Sequence, residues 1–161
     1  MDRIIETLLK LSNTTLKVYI GEGEFSELSV QLNEGLDDSQ IQCISPKLPN
    51  EYIELLKLSN GIFFYNSGDH HIFSFEEVIQ TQELFEFEEN VFPIAYFLED
   101  YILLVVDDSV QGYSLYFGSC MCLDEFILLR YSFKEFMDKL LMNNCDNFWA
   151  DYWRYKLYGS L

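Results

Sequence analysis

The chain has 161 residues, 49% of them apolar and 17% aromatic, and its 10 basic against 27 acidic residues give a formal net charge of −17. That composition excludes a disordered chain, and the length suits a single domain over residues 1–161 with a core of its own. A field of this sign repels nucleic acid and anionic membranes and speeds encounter with basic proteins, so neither nucleic acid nor membrane is an expected partner.

Asp2 to about Leu11 reads as a helix, with Asp2 as its N-cap. Asp2, Arg3, Glu6 and Lys10 interrupt its apolar residues, so it does not read as a secretory leader. With Cys43, Cys120, Cys122 and Cys145 read as reduced thiols, the expected location is cytoplasmic. Leu16, Val18 and Ile20 alternate with polar neighbours and predict a strand that ends at Gly21-Glu22-Gly23. Phe25 to Asp38 fits two readings: Phe25, Leu28 and Leu32 suit a helix, whereas Leu28, Val30 and Leu32 suit a strand.

Leu48 to Gly61 (LPNEYIELLKLSNG) predicts a helix with both ends marked. Pro49 belongs in the first turn, Tyr52, Leu55, Leu56 and Ser59 recur at helical spacing, and Asn60-Gly61 supplies a left-handed stop. Ile62–Tyr65 reads as a short strand, 66–69 as a turn and His71–Phe73 as a brief strand. Ser74 with Glu77 three residues on forms a capping box for a helix that runs to about Phe87. Four strands follow, Phe92–Phe97, Tyr101–Val106, Tyr113–Phe117 and Glu125–Tyr131, joined by short polar connections that suit an antiparallel meander. The longest apolar run, Tyr101–Val106, has the length of a strand and falls far short of the roughly 20 residues that span a bilayer. Ser132 and Glu135 form a second capping box for a helix over Phe133–Met142. A last helix is expected over Asn147–Tyr158, with Trp149, Tyr152 and Trp153 on one face. Strands grouped apart from helices indicate α+β, with an antiparallel sheet packed on helices.

The Leu48–Gly61 segment resembles the signature of the SUKH superfamily, of the yeast cell-wall-assembly-regulator (Smi/Knr) type, whose helix reads Leu-Pro-x-x-Tyr followed by Asn-Gly. HIFSFEEVI (His71–Ile79), FPIAYFLEDYILLVVDD (Phe92–Asp108) and YSFKEFMDKLL (Tyr131–Leu141) are similar to further segments of that pattern, in the same order. The resemblance covers roughly two thirds of the chain and fits least well before Pro46. It implies a SUKH-like α+β fold, with a meander of about four strands plus short N-terminal strands. For a small member of the superfamily it also implies an immunity protein that neutralises a polymorphic toxin, often a nuclease.

No residue set predicts catalysis. His70-His71 would face opposite sides of a strand, which cannot converge on a metal. Cys120-x-Cys122 has neither zinc spacing nor a nearby cation to lower a thiol pKa. Nucleophile-elbow and phosphate-loop motifs are absent. Asp107-Asp108 suits turn chemistry and, as a second possibility, a carboxylate site. No cofactor or metal is expected, and the chain reads as a non-enzymatic protein-binding domain. The candidate partner-binding residues are the carboxylates at predicted turns and helix ends: Glu86, Glu88 and Glu89, Glu99 and Asp100, Asp107 and Asp108. Acids grouped with aromatics suit capture of a basic partner, since carboxylates steer while aromatic anchors hold, and the resemblance implies that this partner is a toxin domain. The alternatives are a regulatory or scaffolding module for an endogenous protein and an enzyme with an unrecognised carboxylate site.

Overall fold

A computed structural model describes residues 1–21, 23–44, 48–65, 69–98, 100–107, 112–119, 125–145 and 148–149. The elements are α1 (Asp2–Ser12), β1 (Leu16–Gly21), β2 (Glu24–Leu32), α2 (Asp38–Ile41), α3 (Asn50–Leu58), β3 (Ile62–Tyr65), β4 (Asp69–Ile72), α4 (Phe75–Leu84), β5 (Val91–Phe97), β6 (Asp100–Asp107), β7 (Gly112–Ser119), β8 (Ile127–Leu129) and α5 (Phe133–Met142). The strands form one eight-stranded sheet in the order β1 to β8, every pairing antiparallel. The fold is α+β. The meander expected over Phe92–Tyr131 is present and continues back through β4, β3, β2 and β1.

Register separates the two faces of this sheet, because paired residues share a side and alternate residues change sides. Val30, Phe64, His70 and Phe97 form one cross-strand row, and Ile62, Ile72, Ala95, Ile102 and Phe117 form the next; every one of them is buried. Over this face lie α1 with Ile4, Leu8 and Leu11, α3 with Tyr52, Leu55 and Leu56, and α5 with Phe133, Phe136, Met137 and Leu140. Tyr52, Leu55 and Leu56 are fully buried, as the apolar stripe of α3 predicts. The Tyr52 and Phe133 rings meet edge-on at 5.3 Å. The other face carries Phe63, His71, Tyr96 and Tyr101 in one row, all half-buried, and α4 lies across it through β5.

Tertiary pairing decides the segment that suited either helix or strand. Leu28 and Val30 are buried two apart on β2 while Phe25 points to the opposite side, 63% exposed, so the strand reading holds. Local expectations need correction at several ends. Asp2 is the first helical residue of α1 and Met1 its cap, without a side-chain hydrogen bond. The helix α3 stops at Leu58 because Ser59 is extended (φ −155°). Gly61 does have φ +104°, but it stands immediately before β3. There a Cβ would lie 2.8 Å from Asn33 Nδ2. α4 ends at Leu84, three residues before the expected Phe87, and β8 is shorter than Glu125–Tyr131. The helix α2 was not anticipated, although Asp37 and Gln40 form a complete capping box there. Pro93 sits where the β5–β6 register shifts, the place in a sheet interior where a missing N–H is tolerated. The turn at 66–68, Cys120, Cys122 and most of the expected C-terminal helix, including Tyr152 and Trp153, lie outside the described residues.

Candidate functional site

The end of α4 sets the first group of acids. Glu86 N–H donates to the Glu83 carbonyl at 3.3 Å and Phe87 N–H to the Gln82 carbonyl at 3.0 Å. With Glu86 left-handed at φ +53° between them, this is a Schellman closure. Gln82 Nε2 then donates to the carbonyls of Glu88 at 3.0 Å and Val91 at 2.9 Å. The loop after α4 is therefore tied to its helix at several points. Glu86, Glu88 and Glu89 all project into solvent from it.

Register then brings a second predicted acid to the same place. Val91 pairs with Val105, Val106 N–H donates to the Asn90 carbonyl at 2.9 Å, and Asn90 Nδ2 donates to the Val106 carbonyl at 3.0 Å. The Glu88-Glu89 turn thus runs alongside exposed Asp107 at the end of β6. Asp108 lies outside the described residues.

Asp100 starts β6, so it stands at the opposite end of the sheet, about 23 Å from Asp107 by strand rise. Its carboxylate faces the core side and accepts from Trp149 Nε1 at 3.1 Å. Trp149 is fully buried among Phe97, Phe117, Phe136 and Phe148, so Asp100 supplies the partner that a buried indole N–H needs. Glu99 lies outside the described residues. Of the predicted carboxylates among the described residues, Glu88 and Glu89 lie beside Asp107, Glu86 stands just before them at the closure of α4, and Asp100 does not join them.

The two histidines part as strand geometry requires. His70 is buried and its Nδ1 donates to the Cys145 carbonyl at 3.2 Å. His71, on the other face, stacks on Phe63 at 5.2 Å and lies 3.9 Å from Glu77. Among the described residues no group of three or more His, Cys, Asp or Glu is arranged to hold a metal ion. No helix among them is long and apolar enough to cross a membrane.

Reading by acids alone passes over an apolar feature beside them. Phe85 meets Tyr101 at 5.5 Å and Phe87 at 5.9 Å, and Phe87 meets Phe126 at 6.4 Å. This ring chain runs from the end of α4 to the start of β8. Leu84, the residue before Phe85, is 74% exposed, and Leu128, two residues past Phe126, is 42% exposed. The signal was present in TQELFEFEEN as aromatics interleaved with acids, but only the register shows that Phe126 and Leu128 join them.

Residues 39–139 match the SMI1 / KNR4 family (SUKH-1). A Bacillus subtilis (strain 168) protein named "Uncharacterized protein YobM" is 30% identical over an alignment covering 87% of this chain and 83% of the relative. No solved structure matches the chain. The match spans the Leu-Pro helix, the β3–β8 meander and most of α5, and on these grounds the chain belongs to the SMI1 / KNR4 family (SUKH-1).

Proposed function

We propose that the chain is a non-enzymatic immunity protein: a cytoplasmic domain over residues 1–161 that captures a basic toxin domain, a nuclease by preference, on the sheet end carrying Glu86, Glu88, Glu89 and Asp107. The observation that carries this reading is the grouping of Glu88 and Glu89 with Asp107, on a loop tied just past the helix end that carries Glu86, in a family member with a net charge of −17. A nuclease must be basic to hold its substrate, so an acidic protein of suitable shape competes for the same surface. Long-range attraction raises the encounter rate, and a loop ordered before binding lowers the entropy lost on docking.

The test is co-purification with the product of the gene directly upstream, followed by calorimetry. Changing Glu86, Glu88 and Glu89 together to Lys is expected to weaken that complex more than tenfold, about 1.4 kcal/mol. The melting temperature should hold or rise, since acids just past a helix C-terminus oppose its dipole. Unchanged affinity would remove the three loop glutamates from the site and leave Asp107, with Asp108, as the next to test. Failure to bind any neighbouring gene product, with capture of an endogenous protein instead, would favour a regulatory module.

A further inference from the structure

Charge is segregated along this chain. Between Leu58 and Leu129 there are thirteen Asp or Glu residues and no Lys or Arg. That interval includes β3 to β8 and α4, the elements that build the half-covered sheet face. The apolar chain Phe85–Phe87–Phe126 crosses this face, and Leu84, next to Phe85 in sequence, and Leu128, two residues past Phe126, are exposed.

These apolar residues are placed deliberately. Leu84 is the last residue of a helix whose closure fixes where it points, and Phe87 is the residue that donates the outer closing bond. Phe126 covers Gly118 so closely that a Cβ there would lie 3.0 Å from its Cδ1, so the ring is seated on the strand. Leu128 lies on the outer side of β8, opposite half-buried Tyr116. Glu83, Glu86, Glu88 and Glu125, all exposed, rim the same region. An apolar centre with a charged rim is the anatomy of a docking surface, and the rim has one sign.

Building on the protein-binding reading above, we infer that this surface docks a lysine- and arginine-rich protein segment carrying one large apolar anchor, which seats against Leu84, Phe87, Phe126 and Leu128 while its cations meet the glutamate rim. One-sign carboxylates select a basic occupant, and the exposed leucines select one that is also apolar. A uniformly charged polycation fits only half of the surface.

The probe is a pair of twelve-residue peptides of equal positive charge, one with a central Trp and the other with Ser in its place, titrated into the full-length, isotope-labelled protein. The Trp peptide is expected to bind at least tenfold more tightly. Its amide shift changes should centre on residues 84–89 and 125–128. In the double variant Leu84→Ser, Leu128→Ser that preference should fall to near unity while the protein still unfolds cooperatively, since neither side chain belongs to the buried core. Equal binding of the two peptides, or shifts centred on the exposed Tyr19 and Phe25 of the β1–β2 hairpin, would overturn the inference. The outcome is separable from the immunity reading. A toxin still bound by the double variant with unchanged affinity sinks the anchor alone, whereas a Trp preference without any cognate toxin sinks only the immunity role.

Discussion

Glu86 occupies the position after a helix end where a Cβ is least welcome and glycine is most often found. Replacing it with Gly relieves that strain and removes a carboxylate from the negative end of the α4 dipole, together about 1 kcal/mol. Glu86→Gly is therefore expected to raise the melting temperature by about 2–4 °C while weakening partner capture. A thermal scan showing a lower midpoint would mean the side chain holds a contact of its own. Tyr52 offers a second test. Its ring is fully buried against Phe133, and its hydroxyl has no hydrogen-bond partner among the described residues. Burial, with the nearby Glu77 charge adding to it, pushes the phenol pKa far above its ordinary value, so the group stays neutral at any working pH. An unpaired buried hydroxyl costs about 1–3 kcal/mol of desolvation. Tyr52→Phe should leave urea-unfolding stability equal or higher, whereas Tyr52→Ala should lose about 3–5 kcal/mol to a cavity.

Helix ends carry much of what joins the elements. The Asn60-Gly61 pair, read as the stop of α3, instead links three segments. Asn60 Oδ1 accepts from Phe75 N–H at 2.7 Å, and Nδ2 donates to the Glu76 carboxylate at 2.8 Å, so Asn60 caps α4 from the loop before β3. Asn60 N–H donates in turn to the Glu34 carbonyl beyond β2. Asn60→Ala removes both side-chain bonds and is expected to cost about 1–2 kcal/mol in denaturant titration without a change of slope. The α5 box is expected to respond to pH. The Ser132 backbone N–H and hydroxyl bind the Glu135 carboxylate and hold its pKa below the usual carboxylate value. A depressed folded pKa means that its stabilisation is present above the unfolded value and is lost as pH falls through the folded one. A Glu135→Gln variant should therefore be less stable than wild type at neutral pH and draw level with it in acid, as read from melting curves across that range.

For the chain as one charged body, a net of −17 opposes compaction as well as speeding capture. Between about 20 mM and about 500 mM salt the Debye length falls several-fold, so the isolated protein should melt at a higher temperature in high salt. Association with the proposed basic partner should slow over the same range while dissociation changes less. A melting temperature independent of salt would place the carboxylates too far apart to repel, and a salt-independent on-rate would remove electrostatic steering from the proposed mechanism.

The boxes at Ser74–Glu77 and Ser132–Glu135, the α3 stripe of Tyr52, Leu55 and Leu56, and the β5–β8 meander were legible in the sequence. Each depends on residues no more than a turn or a hairpin apart, and such local preferences survive folding. The Phe25–Asp38 segment, the end of α4 and the role of Asn60-Gly61 were not legible. The first and last depend on partners farther along the chain, β3 pairing with β2 and the N-terminus of α4 reaching Asn60, whereas α4 ends early because Glu86, a residue type that does not signal it, takes the left-handed conformation. The candidate surface divides in the same way. That this protein carries grouped acids beside aromatics is a property of composition and spacing. That Asp107 stands with Glu88 and Glu89, while Asp100 turns inward to Trp149, follows from antiparallel register, which sets opposite ends of one strand about 23 Å apart.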